Sequence, residues 1–352
     1  MKIGICGLSA SGKSTVFNAL SGQGIATGIP TPPQGDRHVA AVSVPDPRLE
    51  KLRDIYQPKK FTLSQVEFTD FPGIPLEDAK GKGELMADIR AMDALVLVLR
   101  DFESEMVAED RAPASELSAL RAEFLLADMA MIEKRIERLE VSVKKPTKTQ
   151  DRDKKELEIL RRCQDQVEAE KEISELNFDA NEEEMIRGFR FLTQKPLVAV
   201  INTADEVSPD LVASLDKDAS VVEAMNAKIE EEIAQIDEEE RTAFLADFGI
   251  DEPATGRILR AIYEASGLHS FFTVGEDEVR SWAIHLKDNA VTAASKIHSD
   301  IARGFIRAEV VGYGDFMDAG DMKAAKANNK SRLEGKEYVV EDGDIINFRF
   351  SV

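Results

Sequence analysis

The stretch that decides the reading runs from Gly7 to Thr15, GLSASGKST, directly after MKIGIC. Gly7-x4-Gly12-Lys13-Ser14 has the spacing of a phosphate-binding loop, and its flanks suit one: a short apolar strand before it, a helical pattern after it. Glycines let the main chain wrap tightly, so that successive N–H groups turn inward toward phosphate oxygens. The expected contact set is Gly7, Ser9, Ala10, Ser11, Gly12, Lys13, Ser14 and Thr15. Lys13 would neutralise β- and γ-phosphate charge, and the Ser14 hydroxyl would ligate Mg²⁺. A turn that merely happens to carry Gly-Lys-Ser would not need both flanks to be right.

Three further stretches extend this reading. Asp70-Phe71-Pro72-Gly73 closes the strand-like run VEFTD. An Asp at the end of such a strand holds Mg²⁺ in nucleotide hydrolases with this loop, and the Gly73 amide can meet the γ-phosphate. Asn202-Thr203-Ala204-Asp205 follows the apolar run PLVAVI. A carboxylate there accepts from guanine N1–H and its amino group, donors that adenine does not present as a pair. A helix cap is the plainer use of such residues. Asn226-Ala227-Lys228 supplies a last loop beside the base.

The alternation of strand and helix through residues 1–112, resuming at Lys195, predicts an α/β domain with a mostly parallel sheet; ALVLVLR (94–100) and KPLVAVIN (195–202) read as strands buried on both faces. Between them the pattern changes. Leu125, Met129, Ile132, Ile136, Leu139 and Val143 form a helical seam of coiled-coil type. KKPTKTQDRDK interrupts it, and Leu157, Leu160, Gln164, Val167 and Ile173 mark a second stripe. Two helices joined by a polar tip make an antiparallel hairpin, with a partner site or a solvated turn at Lys144, Lys145, Lys148, Arg152, Lys154 and Lys155. From about Val279 strands dominate again around one main helix, and KEYVVEDGDIINFRFSV reads as two strands about Asp342-Gly343. Met129 and Met131 are helix packing, Trp282 packs the last domain, and His269, His285 and His298 have core or surface roles.

Composition narrows the function. The 352 residues are 43% hydrophobic with a formal net charge of −21, which opposes broad, sequence-independent nucleic-acid binding and confines any RNA contact to one face. Sequence-specific DNA binding is not expected. No run nears the roughly 20 apolar residues of a membrane span. Cys6 and Cys163 make neither a disulfide framework nor a metal spacing, which points to the cytosol.

With these motifs in view, the chain resembles the Obg-like ATPases of YchF type, within the translation-factor class of P-loop GTPases. The likeness spans essentially the whole chain. It rests on GLSASGKSTVFNALSG, VPDPRLEKL, DFPGI, GKGELMADIRAMDALVLVLRDF, AKIEEEIAQIDEEERTAFLADFGI and the C-terminal run from KIHSDIARGF to INFRFSV. The resemblance implies a G domain in two parts (1–112 and 181–275), an inserted helical hairpin (113–180), and a TGS domain of β-grasp type (276–352). It implies binding of ATP or GTP with Mg²⁺, slow hydrolysis, and association with ribosomes in the cytoplasm. On this basis Ser14 and Asp70 are the metal residues, and Lys13, Gly73 and Glu109 the catalytic ones.

The departures from the family pattern carry information. Ala10 stands where the family usually has an Asn tied to monovalent-cation use, which removes the basis for expecting potassium activation. The family's base motif ends in Glu; Asp205 stands here, and both ATP and GTP stay open. Ile74 matches the family's apolar residue in place of a water-orienting Gln. The family's catalytic His falls at Glu109 or its neighbours in SEMVAEDRAP, and Glu109 is the stand-in proton acceptor. The switch Thr falls at Gln34, with Thr31 as a substitute. A nucleotide-binding interaction protein with negligible hydrolysis is the alternative expectation. A phosphotransferase is disfavoured, because no arginine-rich lid follows.

Overall fold

The computed structural model describes residues 1–27, 37–77, 79–104, 112–205, 207–215, 219–237, 240–241, 244–245 and 252–351. They form two compact units. One comprises Met1–Ala41 with Glu67–Ile258, the other Val42–Val66 with Leu259–Val352.

The first unit is built on a sheet of β1 (Lys2–Cys6), β2 (His38–Ser43), β4 (Gln65–Asp70), β5 (Ala94–Asp101), β6 (Leu197–Thr203) and β7 (Val221–Met225), in the order β2-β4-β1-β5-β6-β7. The pairs β1–β4, β1–β5, β5–β6 and β6–β7 are parallel. β5 and β6 are buried almost end to end, as their uninterrupted apolar runs require when helices cover both faces. Strand order reverses at β1: the chain moves first to β4 on one side, then to β5 on the other. That reversal opens a crevice at the carboxyl ends of the strands. Register aligns those ends, with Ile5 opposite Asp70 and Arg100 opposite Asn202.

The inserted helices α4 (Pro113–Ser142) and α5 (Gln150–Glu168) pack as a hairpin. Contacts near the tip (Ser142 with Asp153) and near the base (Arg121 with Glu172) show that they run antiparallel. Ile132, Ile136, Leu139, Ile159, Leu160, Cys163 and Val167 form the buried seam, with Leu125, Met129 and Met131 partly buried beside it. Two expected positions differ. Cys163, not Gln164, faces the seam, and Ile173 lies in a short 3-10 turn beyond the end of α5. An apolar thiol is cheaper to bury than an amide, and this sets the rotation of α5. At the base, α3 (Lys82–Arg90), the helix that follows the Asp70–Gly73 turn, is tied to α4 by Lys82–Glu123 and Arg90–Asp128. Asp128 is fully buried, and the N–H groups of Leu192 and Thr193 also donate to it, so its charge is satisfied on several sides.

The second unit holds a sheet ordered β11-β10-β12-β8-β9-β3, from β3 (Lys60–Thr62), β8 (Leu268–Thr273), β9 (Glu278–His285), β10 (Phe305–Gly312), β11 (Arg332–Glu334) and β12 (Asp344–Phe350). An antiparallel β8–β9 hairpin, the helix Ala290–Ile297, and a last strand lying between β8 and β10 make a β-grasp arrangement. Trp282 donates to Thr273 Oγ1 at 3.0 Å and stacks on Phe271, which places it in this core. His298 accepts the Asp300 N–H through Nδ1.

The two strands expected about Asp342-Gly343 are a correction. Only the second is a strand of the sheet, apart from an isolated bridge at Val339. Both edges of β12 are taken by β10 and β8, which leaves no place for a hairpin partner. The turn is instead pinned from elsewhere: Ser270 N–H and Arg48 bind Asp342, and Gly343 N–H donates to Ser270 O. The boundary placed at 276 from the sequence falls in the turn between the paired strands β8 and β9, and residues 42–66 join the second unit rather than the first.

Candidate functional site

The loop after β1 carries three backbone conformations that L side chains seldom adopt: Gly7 at φ 155°, Ala10 at φ 61° and Gly12 at φ 88°. A Cβ on Gly7 would approach Val98 O to 2.5 Å, and one on Gly12 would strike the Asn202 amide. Ala10 holds a left-handed conformation at a cost of about 1 kcal/mol. α1 (Lys13–Ser21) then begins with no side-chain cap, which leaves its first N–H groups open to an anion.

Lys13 is buried, and its Nζ donates to Leu8 O at 2.6 Å, so the side chain curls over its own loop. Burial pushes its ammonium below the ordinary range, against the pull of Asp70, Cys6 and Glu116. Ser14 Oγ donates to Asp70 Oδ2 at 2.7 Å across 56 residues. Burial raises the Asp70 carboxyl above its usual value, opposed by the Ser14 hydroxyl and the charges of Lys13 and His38. Asp70 Oδ1 and Ser11 Oγ are buried with no hydrogen-bond partner among the described residues. Such orphaned oxygens are rare in folded proteins. Asp70 Oδ1 belongs to the carboxylate that Ser14 binds, where a cation would be held, while Ser11 Oγ lies against Gly7 within the loop. The Ser14 hydroxyl gives its proton to Asp70, so its lone pairs stay available to a cation. The donor set therefore suits Mg²⁺, whose preference is for one or two protein oxygens plus phosphate and water. Beneath the loop, burial pushes the Cys6 thiol up, and it is inert.

The Asp70–Gly73 turn lies directly on the loop. Phe71 N–H donates to Ile5 O and Ile74 N–H to Gly7 O. A Cβ on Gly73 would lie 2.7 Å from Ser9 N and 2.8 Å from its Cα, so only glycine allows this approach. Ile74 is buried in the core cluster against which Leu8 of the loop also packs.

Asn202 bridges two loops: Nδ2 donates to Ser11 O at 3.2 Å, and Oδ1 accepts Ala227 N–H at 3.2 Å. Its side chain thus ties the phosphate loop to the first residue of the helix Ala227–Gln235, whose N–H it satisfies. Thr203 is buried and exchanges hydrogen bonds with the Asp205 main chain, while Asp205 is exposed. Asn226 Oδ1 caps α8 (Ala227–Gln235) through Ile229 N–H, and Lys228 is exposed in its first turn. The structure thus brings together Gly7–Thr15, Asp70, Gly73, Asn202 and Ala227. Glu109, Gln34 and Thr31 lie outside the described residues.

Two participants were missed by sequence reasoning. Glu116 of α4 accepts Arg100 N–H at 3.0 Å, and its charge acts on Lys13. The Phe102 ring edge lies 3.6 Å from where a Cβ on Gly12 would sit. Neither belongs to a local motif; their proximity depends on how the start of α4 packs beside the end of β5.

A glycine-framed loop with a buried lysine, at the strand-order reversal of a parallel sheet, defines a P-loop nucleotide-binding protein. Residues 2–203 match the model of a family described as "50S ribosome-binding GTPase", and residues 268–351 match YchF-GTPase_C, described as a protein of unknown function. The chain belongs to the YchF family. It is 38% identical over 364 residues to "Ribosome-binding ATPase YchF" of Pasteurella multocida, covering 100% of this chain and 99% of the relative. It is 39% identical over 365 residues to the protein of that name from Bacillus subtilis, covering 99% of each. The solved YchF GTPase of Schizosaccharomyces pombe superposes with a TM-score of 0.84 at 28% identity, over 99% of this chain and 97% of that one. Among the described residues no helix is long and apolar enough to cross a membrane.

Proposed function

We propose that this chain is a P-loop nucleotidase that binds ATP or GTP, hydrolyses the γ-phosphate slowly, and associates with the ribosome in the cytoplasm. The observation that carries the proposal is the buried pair Lys13 and Asp70 with the partly buried Ser14 bonded to Asp70, and the unpartnered Asp70 Oδ1, under a loop too tight for side chains at Gly7 and Gly12. The names of the full-length relatives support the ribosome as partner.

Ser14 and Asp70 would hold Mg²⁺. When bound, the ion neutralises charge on the β- and γ-phosphates. The residues of this chain then have separate tasks. Main-chain N–H groups from Ser9 to Thr15 orient the phosphates, and Lys13 offsets the charge that builds on the bridging oxygen. Gly73 brings its amide next to the loop, so that the turn responds to the γ-phosphate. Asp205 supplies the carboxylate for base recognition, with Ala227 and Lys228 beside it. Glu109 is the proton acceptor by sequence alone.

Ile74 favours a second reading. Where a water-orienting side chain would stand, the chain places a buried isoleucine, so turnover rests on Glu109 or on a group from a partner. Unaided sites of this class work at roughly 10⁻⁴ s⁻¹. Calorimetry with ATP and with GTP on one sample, followed by single-turnover hydrolysis with and without ribosomes, tests both readings. Binding with product formed faster on ribosomes supports the nucleotidase. Binding without product in either condition leaves an interaction protein, and failure to bind either nucleotide removes both.

A further inference from the structure

Between Lys144 and Lys155 the chain places six basic and two acidic side chains, although its net charge is −21. These residues form the tip of the α4–α5 hairpin. Lys144, Lys145, Lys148, Arg152, Lys154 and Lys155 are all exposed. Among the described residues the only ion pair that engages them is Lys154–Asp151 at 3.9 Å, a pair too open to hold the charge in place. The acids are turned to structural use: Asp153 receives the Ser142 hydroxyl and closes the hairpin, and Asp151 lies in the first turn of α5. The turn is braced by Gln150 Nε2 to Val143 O at 2.8 Å and Lys145 N–H to Ser142 O at 3.0 Å. The cations are thus presented by an ordered surface.

We propose that this tip docks on an RNA phosphodiester backbone. The inference rests on the ribosome reading above and names the chemistry of the contact. Three properties favour RNA over other polyanions. Residues 144–155 contain no aromatic and no aliphatic side chain beyond Pro146, so the tip lacks the apolar anchor of a protein hot spot and the wedge of a membrane-surface helix. The exposed Thr147 and Thr149 place short polar groups among the cations, which suits phosphate and sugar oxygens. The acidic remainder of the chain repels the same backbone elsewhere and restricts contact to this end.

The test uses the full chain with all six residues changed to glutamine (K144Q, K145Q, K148Q, R152Q, K154Q and K155Q), beside a control carrying K134Q and K171Q outside the tip. Cosedimentation with ribosomes and anisotropy of a labelled RNA hairpin are measured between about 50 and 200 mM salt. The expected result is a loss of at least about tenfold at the upper salt, with the log–log salt slope flattened by about 4 to 5, one counterion step per lost phosphate contact. The control keeps the wild-type slope, and nucleotide affinity is unchanged in both variants, which shows that they are folded. A six-site variant that sediments like wild type overturns the tip and leaves the ribosome reading standing. Equal loss in the control overturns the tip as well, because any surface lysine would then serve. Wild type that does not sediment with ribosomes removes the ribosome reading and this proposal together. Wild type that binds vesicles of acidic phospholipid but not the RNA hairpin assigns the tip to a membrane and overturns the proposal.

Discussion

The phosphate loop in the first unit and the Arg48 cluster in the second are built from similar parts and end in opposite electrostatic states. Each joins a short motif to a distant acid, at the loop across a partly buried gap and at Arg48 across an exposed one. At the loop, burial weakens the charge of Lys13 and of Asp70, and two oxygens have no partner. Around Arg48 the charged groups pair with one another, although the adjoining Tyr313 hydroxyl has no hydrogen-bond partner among the described residues. Asp46 caps α2 (Pro47–Tyr56) and receives the Arg48 guanidinium; Asp342 takes two further bonds from it; and the Phe272 ring lies 5.2 Å below. The carboxyl of Asp342 is raised by burial but held below its ordinary value by Arg48 and by Ser270 N–H. At the loop an oxygen of the buried acid itself is left unsatisfied, as a site kept for a ligand tolerates in the free protein, while at Arg48 both carboxylates are held by the guanidinium.

That contrast can be broken or sharpened by experiment. The largest effect is expected from Lys13→Met. Affinity for nucleoside triphosphates should fall at least about 100-fold by calorimetry, while the melting temperature of the free protein stays level or rises, because an unfavourable buried charge is gone. A clear drop in melting temperature would show that Lys13 is structural and would erase the distinction. Arg48→Ala is the mirror case. It removes the cation that Asp46 and Asp342 share and should cost about 1 kcal/mol in denaturant unfolding, solvent screening at the half-exposed Asp342 keeping the figure low, with nucleotide affinity unchanged.

A similar effect is expected at Glu309, which is buried and bonded to Lys326 and Arg349. Those two partners, outweighing burial, hold its carboxyl below the usual range. Its stabilisation is therefore fully present above the unfolded value of about 4.3 and is lost as pH falls through the lower folded value. Both partners are about half exposed, so the contribution is on the order of 1 kcal/mol. Glu309→Gln should lower the melting temperature at neutral pH and flatten the acid limb of its pH profile; an unchanged limb would show that the pair is solvated. The smallest effect is expected at Ala10. Ala10→Gly relieves the left-handed conformation and should raise stability by about 0.5 kcal/mol, net of the added chain entropy. Loss of stability would show that the loop relaxes in the free protein.

Much of the first unit was legible because its signals are local. The loop needs glycine and lysine at fixed spacing, and β5 and β6 are continuous apolar runs; both can be recognised within ten residues. The hairpin seam was legible to within one position on α5, where a buried thiol replaced the amide. The second unit was less so. VPDPRLEKL was recognisable as a family motif, but its role was not: Arg48 meets Asp342 across 294 residues, and no periodicity encodes a partner at that distance. The pairing of β12 with both β8 and β10 likewise hid a central strand behind a turn signal at Asp342-Gly343.

The sequence by itself determined the phosphate loop, the strands that frame it, the α4–α5 pair and the charge contrast at the hairpin tip, because each depends on residues within a few turns or a single run. Only the tertiary structure decided that Asn202 ties the phosphate loop to the start of α8, that Glu116 acts on Lys13, and that residues 42–66 complete the second unit. Those outcomes depend on which surfaces meet after loops of very different length have closed, and closure cost grows too slowly with length to single out a partner in advance.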